Sequence, residues 1–235
     1  MKKILILGAT SGMGSEIARR LHNEKDELFL VGRNREKIDL LESKLSTNAR
    51  TFYCNLQEPE NVEALFEELK TEKIKFDGMV YCAGVADYQG VRGIDIEEVE
   101  KEFKVNYFSY LKACSLFVKK SFSNDNASIV CISSLSAKTC YIGSSPYSCS
   151  KEAMNTLNRV LSRECVDRHI RVNSILPGYV RTPMTADLEE EKLYNEQPWG
   201  FIEPKEIAAL VSFLLSDEAA MITGAEIPIS GGMIF

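Results

Sequence analysis

In the run YIGSSPYSCSK, which spans Tyr141 to Lys151, a tyrosine and a lysine stand four residues apart, at Tyr147 and Lys151. On a helix that spacing puts both side chains on one face. A phenol, with a free pKa near ~10, is a poor base at neutral pH. An ammonium beside it favours the phenolate and draws the pKa toward the working range. The same stretch also reads as an ordinary helix start, with Ser145 as N-cap ahead of Pro146 in the first turn. Spacing does not separate an acid–base pair from a plain cap. The elements that would carry a cofactor and a substrate to this point have to.

Those elements alternate from end to end. KILIL (3–7), ELFLV (27–31), RTFYC (50–54), GMVYC (78–82), SIVCI (128–132), RVNSIL (171–176) and EIPI (226–229) read as strands, several of them continuously apolar as strands covered on both faces should be. Between them lie amphipathic helices, with Ile17, Ala18 and Leu21, then Ile38, Leu41 and Leu45, then Val62, Leu65, Phe66 and Leu69 each on one face. Strand–helix alternation implies right-handed crossovers and a mostly parallel sheet. The expected fold is therefore α/β, a doubly wound sheet of about seven strands in one domain over residues 1–235. The pattern loosens over about 183–202, which holds the acidic triplet Glu189–Glu191 and the only tryptophan, Trp199. It reads either as a substrate loop or as a solvated acidic helix.

The first strand runs straight into GATSGMG, where Gly8, Gly12 and Gly14 precede a helix and enclose Thr10, Ser11 and Met13. Glycines there allow a tight turn, and the helix N-terminus offers unpaired N–H groups to a phosphate. Placed after strand one, the turn points to a dinucleotide. A carboxylate ending the second strand would take the ribose hydroxyls and prefer NAD. FLVGRNREK instead offers Arg33 and Arg35, with no acid before Glu36. A guanidinium suits a 2′-phosphate, so NADP(H) is the preferred cofactor and NAD(H) the alternative.

The whole chain narrows the function classes. Its 28 basic and 34 acidic residues leave a net charge of −6, against a general nucleic-acid binder. No apolar run approaches the roughly 20 residues of a membrane span. Gly8 and the charged EIARR cut the N-terminal apolar stretch too early for a signal peptide. The seven cysteines include no CxxC pair, and His22 and His169 have no second ligand nearby, so reduced thiols in a cytoplasmic protein without a metal site are expected.

Taken together, these motifs resemble the short-chain dehydrogenase/reductase family, in its single-domain, Rossmann-fold branch. The resemblance covers the chain from Gly8 to about Gly232. Asn55 and Leu56 of CNLQ stand where the family has an acidic pair member and its neighbour near the adenine. YCAG, with Ala83 and Gly84, occupies the place of Asn-Asn-Ala-Gly, and Asn106 matches a helix asparagine. Ser134 precedes Tyr147 by the family spacing, and Pro177, Gly178, Val180 and Thr182 lie in the segment matching Pro-Gly-x-x-x-Thr. Leu7 and the pair Tyr81–Cys82 depart from the usual residues.

The resemblance implies that Tyr147 gives a proton to a carbonyl oxygen that Ser134 holds, while Lys151 grips the nicotinamide ribose. It further implies that the Asn106 backbone orders a water linking Lys151 to solvent. Thr182 and the Pro177–Gly178 turn would seat the carboxamide. It implies a homo-oligomer, a tetramer or dimer, paired through helices around 106–122 and 146–167 that carry Leu111, Leu116, Phe117, Leu157 and Leu161. The expected activity is NADP(H)-dependent interconversion of a carbonyl and a secondary alcohol on a small-molecule substrate. The rival is a nucleotide-sensing or scaffold protein that keeps the fold without turnover; an epimerase of the longer branch lacks support in the glycine spacing. Tyr141 and Ile142, with Met184, Leu188, Tyr194 and Trp199, are the expected pocket walls.

Overall fold

A computed structural model describes residues 1–45, 48–188 and 190–235. Its first half runs β1 (Lys3–Leu7), α1 (Gly12–Asn23), β2 (Glu27–Gly32), α2 (Arg35–Lys44), β3 (Ala49–Tyr53), α3 (Glu60–Thr71) and β4 (Phe76–Tyr81). Then follow α4 (Ile96–Phe103), α5 (Ser109–Phe117), β5 (Ser123–Ile132), α6 (Ser136–Thr139), α7 (Ser145–Glu164), β6 (Arg171–Pro177), α8 (Glu190–Glu196), α9 (Pro204–Leu215) and β7 (Glu226–Ile229). The strands form one sheet of seven in the order β3-β2-β1-β4-β5-β6-β7, with every pairing parallel.

The continuous apolar strands explain themselves through the two faces of this sheet. Leu5 and Leu7 of β1 point into one core with Phe66 of α3, Phe117 of α5 and Met154 of α7. Ile4 and Ile6 point into the other, with Ile17 of α1, Ile38 of α2 and Val211 of α9. Alternate residues thus feed opposite cores, and neither face of the strand can be polar. The chain order reverses between β1 and β4, so the loops leaving their carboxyl ends diverge and open a crevice.

Helical boundaries differ from expectation in three places. The helix expected from about 106 begins at Ile96, ends as α5 at Phe117, and passes through a π-helical turn at Lys104–Phe108. Such turns carry an extra residue and often occur at functional sites; this one holds Asn106. The segment 183–202, expected as a substrate loop or an acidic helix, is helical over part of its length. It forms a 3₁₀ turn at Pro183–Thr185, then α8, and its end pairs Ile202 with Val180. Of the acidic triplet, Glu189 and the side chains of the other two lie outside the described residues. Ser145 is not the cap of α7: Ser144 holds that position, and the Ser145 hydroxyl is buried without a hydrogen-bond partner. Ser144 instead bonds the Tyr141 carbonyl at 2.7 Å and lies 2.8 Å from the Ser148 hydroxyl, fixing where the helix enters.

Among the described residues no helix is long and apolar enough to cross a membrane. All seven cysteines are free thiols; Cys140 and Cys149 are exposed and the other five buried.

Candidate active site

The crevice starts at Gly8, where the chain leaves β1 with φ +87°, a conformation that favours glycine. A β-carbon there would lie 2.4 Å from the Ala83 nitrogen, so the turn can press against the end of β4 only as glycine. Ser11 caps α1 by accepting from the Gly14 N–H at 2.9 Å, and no acidic residue enters the helix's first turn. An anion at this N-terminus therefore meets free N–H groups and no repulsion. Cys82, in place of the usual asparagine, still ties the turn to β4. Its buried Sγ lies 3.2 Å from the Leu7 carbonyl, and burial pushes its pKa up to about 12, so it stays a thiol.

Two cavities lie end to end along this turn. The first, about 300 Å³, is bordered by Gly8, Thr10, Ser11, Arg33, Asn55, Leu56, Ala83 and Gly84. The second, about 270 Å³, is bordered by Thr10, Ser11, Gly12, Met13, Tyr147, Lys151 and Thr182. Gly14 lines neither; a β-carbon on it would lie 2.3 Å from the Gly8 carbonyl oxygen, so it serves the turn's packing. The cleft is narrow enough that a β-carbon on Gly84 would stand 3.1 Å from Lys151 Nζ. Glycine backbone, a helix N-terminus and an elongated, hydroxyl-lined cleft fit a dinucleotide.

The far end of the first cavity carries positive charge. Arg33 is exposed and borders it, while Arg35 lies over the Tyr53 ring at 5.2 Å. Lys37, which sequence reasoning missed, borders both cavities, and its backbone N–H is capped by Asn34 Oδ1 at 2.9 Å. Neither Arg33 nor Lys37 forms an ion pair among the described residues. The signal for Lys37 was its place in the first turn of α2, facing the strand ends.

At the other end Tyr147 and Lys151 project from one face of α7, and both are buried. Lys151 Nζ donates to the Ile132 carbonyl at 3.0 Å and sits 5.7 Å from the centre of the Tyr147 ring. Burial lowers the Lys151 pKa to about 8. The expectation that Lys151 lowers the Tyr147 pKa is not met in this geometry. Burial dominates and raises it, and the opposing influence is the Ser134 hydroxyl. The phenol is thereby held protonated at neutral pH. Ser134 follows the end of β5 and accepts from the Ser136 N–H at 3.1 Å, leaving its own proton to donate. Ser133 turns away, toward the Lys151 carbonyl. Asn106 is buried behind the pair, bonding both backbone groups of Val85 and the Ser150 hydroxyl, each at 2.9 Å.

A third cavity, about 360 Å³, opens on the other side of Tyr147. Tyr88, Ser134, Tyr141, Tyr179, Met184, Leu188 and Met233 line it, and among the described residues none of its lining is Asp, Glu, Lys, Arg or His. Pro177 and Gly178, expected at the cofactor, border this cavity, which the turn after β6 faces. Val180 borders no cavity described above; its side chain packs in the core, next to Ile202 in the strand bridge. Ile142 and Trp199, expected as walls, are exposed. Gln197, buried beyond α8, accepts from the Tyr179 N–H and donates to the Tyr179 and Gly200 carbonyls, which fastens the segment after α8 onto this turn.

The comparisons with known proteins agree with this geometry. A family model described as "Enoyl-(Acyl carrier protein) reductase" matches residues 8–234. Carbonyl reductase family member 4 of Xenopus laevis is 29% identical over 233 residues, covering 99% of this chain and 98% of that protein. The 3-oxoacyl-[acyl-carrier-protein] reductase FabG of Rickettsia felis is 32% identical over 238 residues, covering 99% and 97%. Among solved structures, a short-chain dehydrogenase/reductase of Brucella melitensis superimposes with a TM-score of 0.93 at 25% identity, covering 100% of this chain and 97% of that one. An actinorhodin polyketide ketoreductase variant solved with NADPH gives a TM-score of 0.89 at 25% identity, covering 98% and 96%. With fold, crevice and near end-to-end likeness in agreement, the chain belongs to the short-chain dehydrogenase/reductase family of NAD(P)(H)-linked oxidoreductases.

Proposed function

We propose that this chain interconverts a carbonyl and a secondary alcohol with NADP(H), in one catalytic domain over residues 1–235 whose segment 183–202 walls the substrate. The observation that carries the reading is the placement of Tyr147. It borders both the inner cofactor cavity and the uncharged cavity beyond, and Met184 is the other residue common to their linings. A bound nicotinamide dinucleotide supplies the hydride for reduction and accepts it in oxidation.

In reduction, Ser134 donates to the substrate carbonyl oxygen and holds it beside the Tyr147 phenol, which gives up its proton to the same oxygen. Lys151, on the same helix as Tyr147, binds the ribose of the cofactor. Asn106 holds the loop after β4 in place along the cleft and stands next to the path by which a proton returns. The described residues lining the cavity around Tyr88, Tyr141 and Tyr179 carry no charge, so an uncharged apolar carbonyl compound suits it.

The phosphate preference rests on Arg33, with Lys37 beside it. Arg33→Ala is expected to raise KM for NADPH about tenfold, the loss of one charge-assisted contact, and to leave KM for NADH unchanged. The measurement is NADPH and NADH oxidation against a panel of ketones and aldehydes. An unaltered preference would remove Arg33 from the site. Cofactor binding without turnover of any carbonyl would favour the non-catalytic sensor.

Assembly and place in the cell follow the same reading. Leu116, Phe117 and Leu161 are buried within the chain, so they are not free for a partner. Phe108 and Leu111 on the α5 side, and Val160 on α7, remain exposed and suit pairing with a second copy, as a dimer or tetramer. Seven free thiols suit a reducing cytoplasm.

A further inference from the structure

One buried carboxylate lies outside this machinery. Glu102, in the last turn of α4, is only 2% exposed. A buried charge is costly unless its oxygens find donors, and both of these do. Oε2 accepts the Asp87 N–H at 2.9 Å, and Oε1 lies 3.3 Å from the Ser150 hydroxyl, whose one proton it shares with the Tyr147 carbonyl. Ser150 Oγ also lies 2.8 Å from the Tyr147 carbonyl and accepts from Asn106 Nδ2. Glu102 and Asn106, four residues apart, therefore hold alternate residues of a single loop, Asp87 and Val85. That loop carries Gly84 against Lys151 and Tyr88 against Tyr147, whose rings lie 6.1 Å apart.

We infer that Glu102 is a positioning residue of the active site: it straps the loop 84–89 onto α7 and places a fixed negative charge behind the Tyr147–Lys151 pair. The charged and titratable groups facing it are Asp87 and Tyr88 from the loop and Tyr147 and Lys151 from α7. Burial raises the Glu102 pKa, while its two hydrogen bonds and Lys151 oppose the rise. Its negative charge disfavours a second one on Tyr147 and favours the positive one on Lys151, so it raises both pKa values. A protonated phenol, the form reduction needs, is kept to higher pH.

Two substitutions separate the strap from the charge. Glu102→Gln keeps an acceptor for the Asp87 N–H and turns an amide toward Ser150, but carries no charge. Glu102→Leu removes both. In Glu102→Gln the alkaline limb of kcat/KM for carbonyl reduction should move down by ~0.5 pH unit or more, with wild-type amide exchange over 84–90. In Glu102→Leu the same limb should move, exchange at Val85–Tyr88 should quicken by about tenfold or more, and KM for the carbonyl should rise.

An unmoved limb in Glu102→Gln overturns the charge, and wild-type exchange in Glu102→Leu overturns the strap. The kinetic arm rests on the reductase reading above, which fails separately if the wild type turns over no carbonyl. In that event the exchange comparison still decides the strap. The charge is then decided by titrating, in wild type and Glu102→Gln, the phenolate absorbance that Tyr147→Phe removes.

Discussion

Tyr147→Phe is expected to lower kcat/KM for carbonyl reduction by ~10²–10⁴-fold, the range for losing a positioned general acid. The ring is buried against Tyr88 and loses only its hydroxyl, so folding and cofactor affinity should stay near wild type. The pH dependence should carry the same signature. Burial raises the phenol's pKa above its ordinary value near 10, so reduction is expected to hold level from pH 6 to 10 and to fall only beyond that range. Alcohol oxidation, which needs the phenolate, should rise with pH over that range. Steady-state rates of wild type and variant in both directions, from pH 6 to 10, make the check. A variant as active as wild type would sink the assignment.

Lys151→Met is expected to cut turnover by ~100-fold or more and yet to stabilise the cofactor-free chain at pH 7. The free ammonium titrates at 10.5, the buried one at about 8. Between those values the unfolded chain holds a proton that the folded chain has lost, so stability climbs with rising pH across that window. Below it the folded chain bears the full cost of a buried ammonium. Methionine fills similar space without a charge. Allowing for the Ile132 carbonyl left without its donor, the gain should be about 2 kcal/mol, or ~4–8 °C in Tm for a chain of this size. Melts at pH 7, 8, 9 and 10 should show the difference shrinking as pH rises. A variant less stable than wild type at pH 7 would refute it. A stabilised Lys151→Met would fit the general exchange of stability for function.

Much of this was legible in the sequence, for reasons that differ by element. The strands were readable because β1, β2 and the second half of β5 are covered on both faces, so their apolar runs are nearly unbroken. The glycine turn was readable because Gly8 and Gly14 allow no side chain, whatever surrounds them. Val180, Pro177 and Gly178 were placed by motif. A motif fixes the path of the backbone but not which wall each side chain faces, and the turn after β6 faces two cavities and a core. Glu102 was hidden among Glu97, Glu98 and Glu100, which look alike in sequence. Only the packing of α4 against α7 and the loop distinguishes the buried carboxylate from its exposed or half-buried neighbours. The cap of α7 was missed by one residue because Ser144 and Ser145 are chemically identical, and the bond from Ser144 to Tyr141 chooses between them.

The division of the thiols gives the chain an internal gauge of its own opening. Cys140 and Cys149 are exposed and open to an alkylating reagent in the folded chain. Cys54 and Cys82 lie just past the ends of β3 and β4, Cys131 lies within β5, and Cys114 and Cys165 lie under the helices of one face. Burial holds the first two at about 11 and about 12, so they are scarce as thiolates as well as covered. Their alkylation therefore counts the moments when the sheet parts, against a pair that labels at once. Each of the five reports from a different strand or helix, so the order in which they yield maps the order in which the fold comes undone.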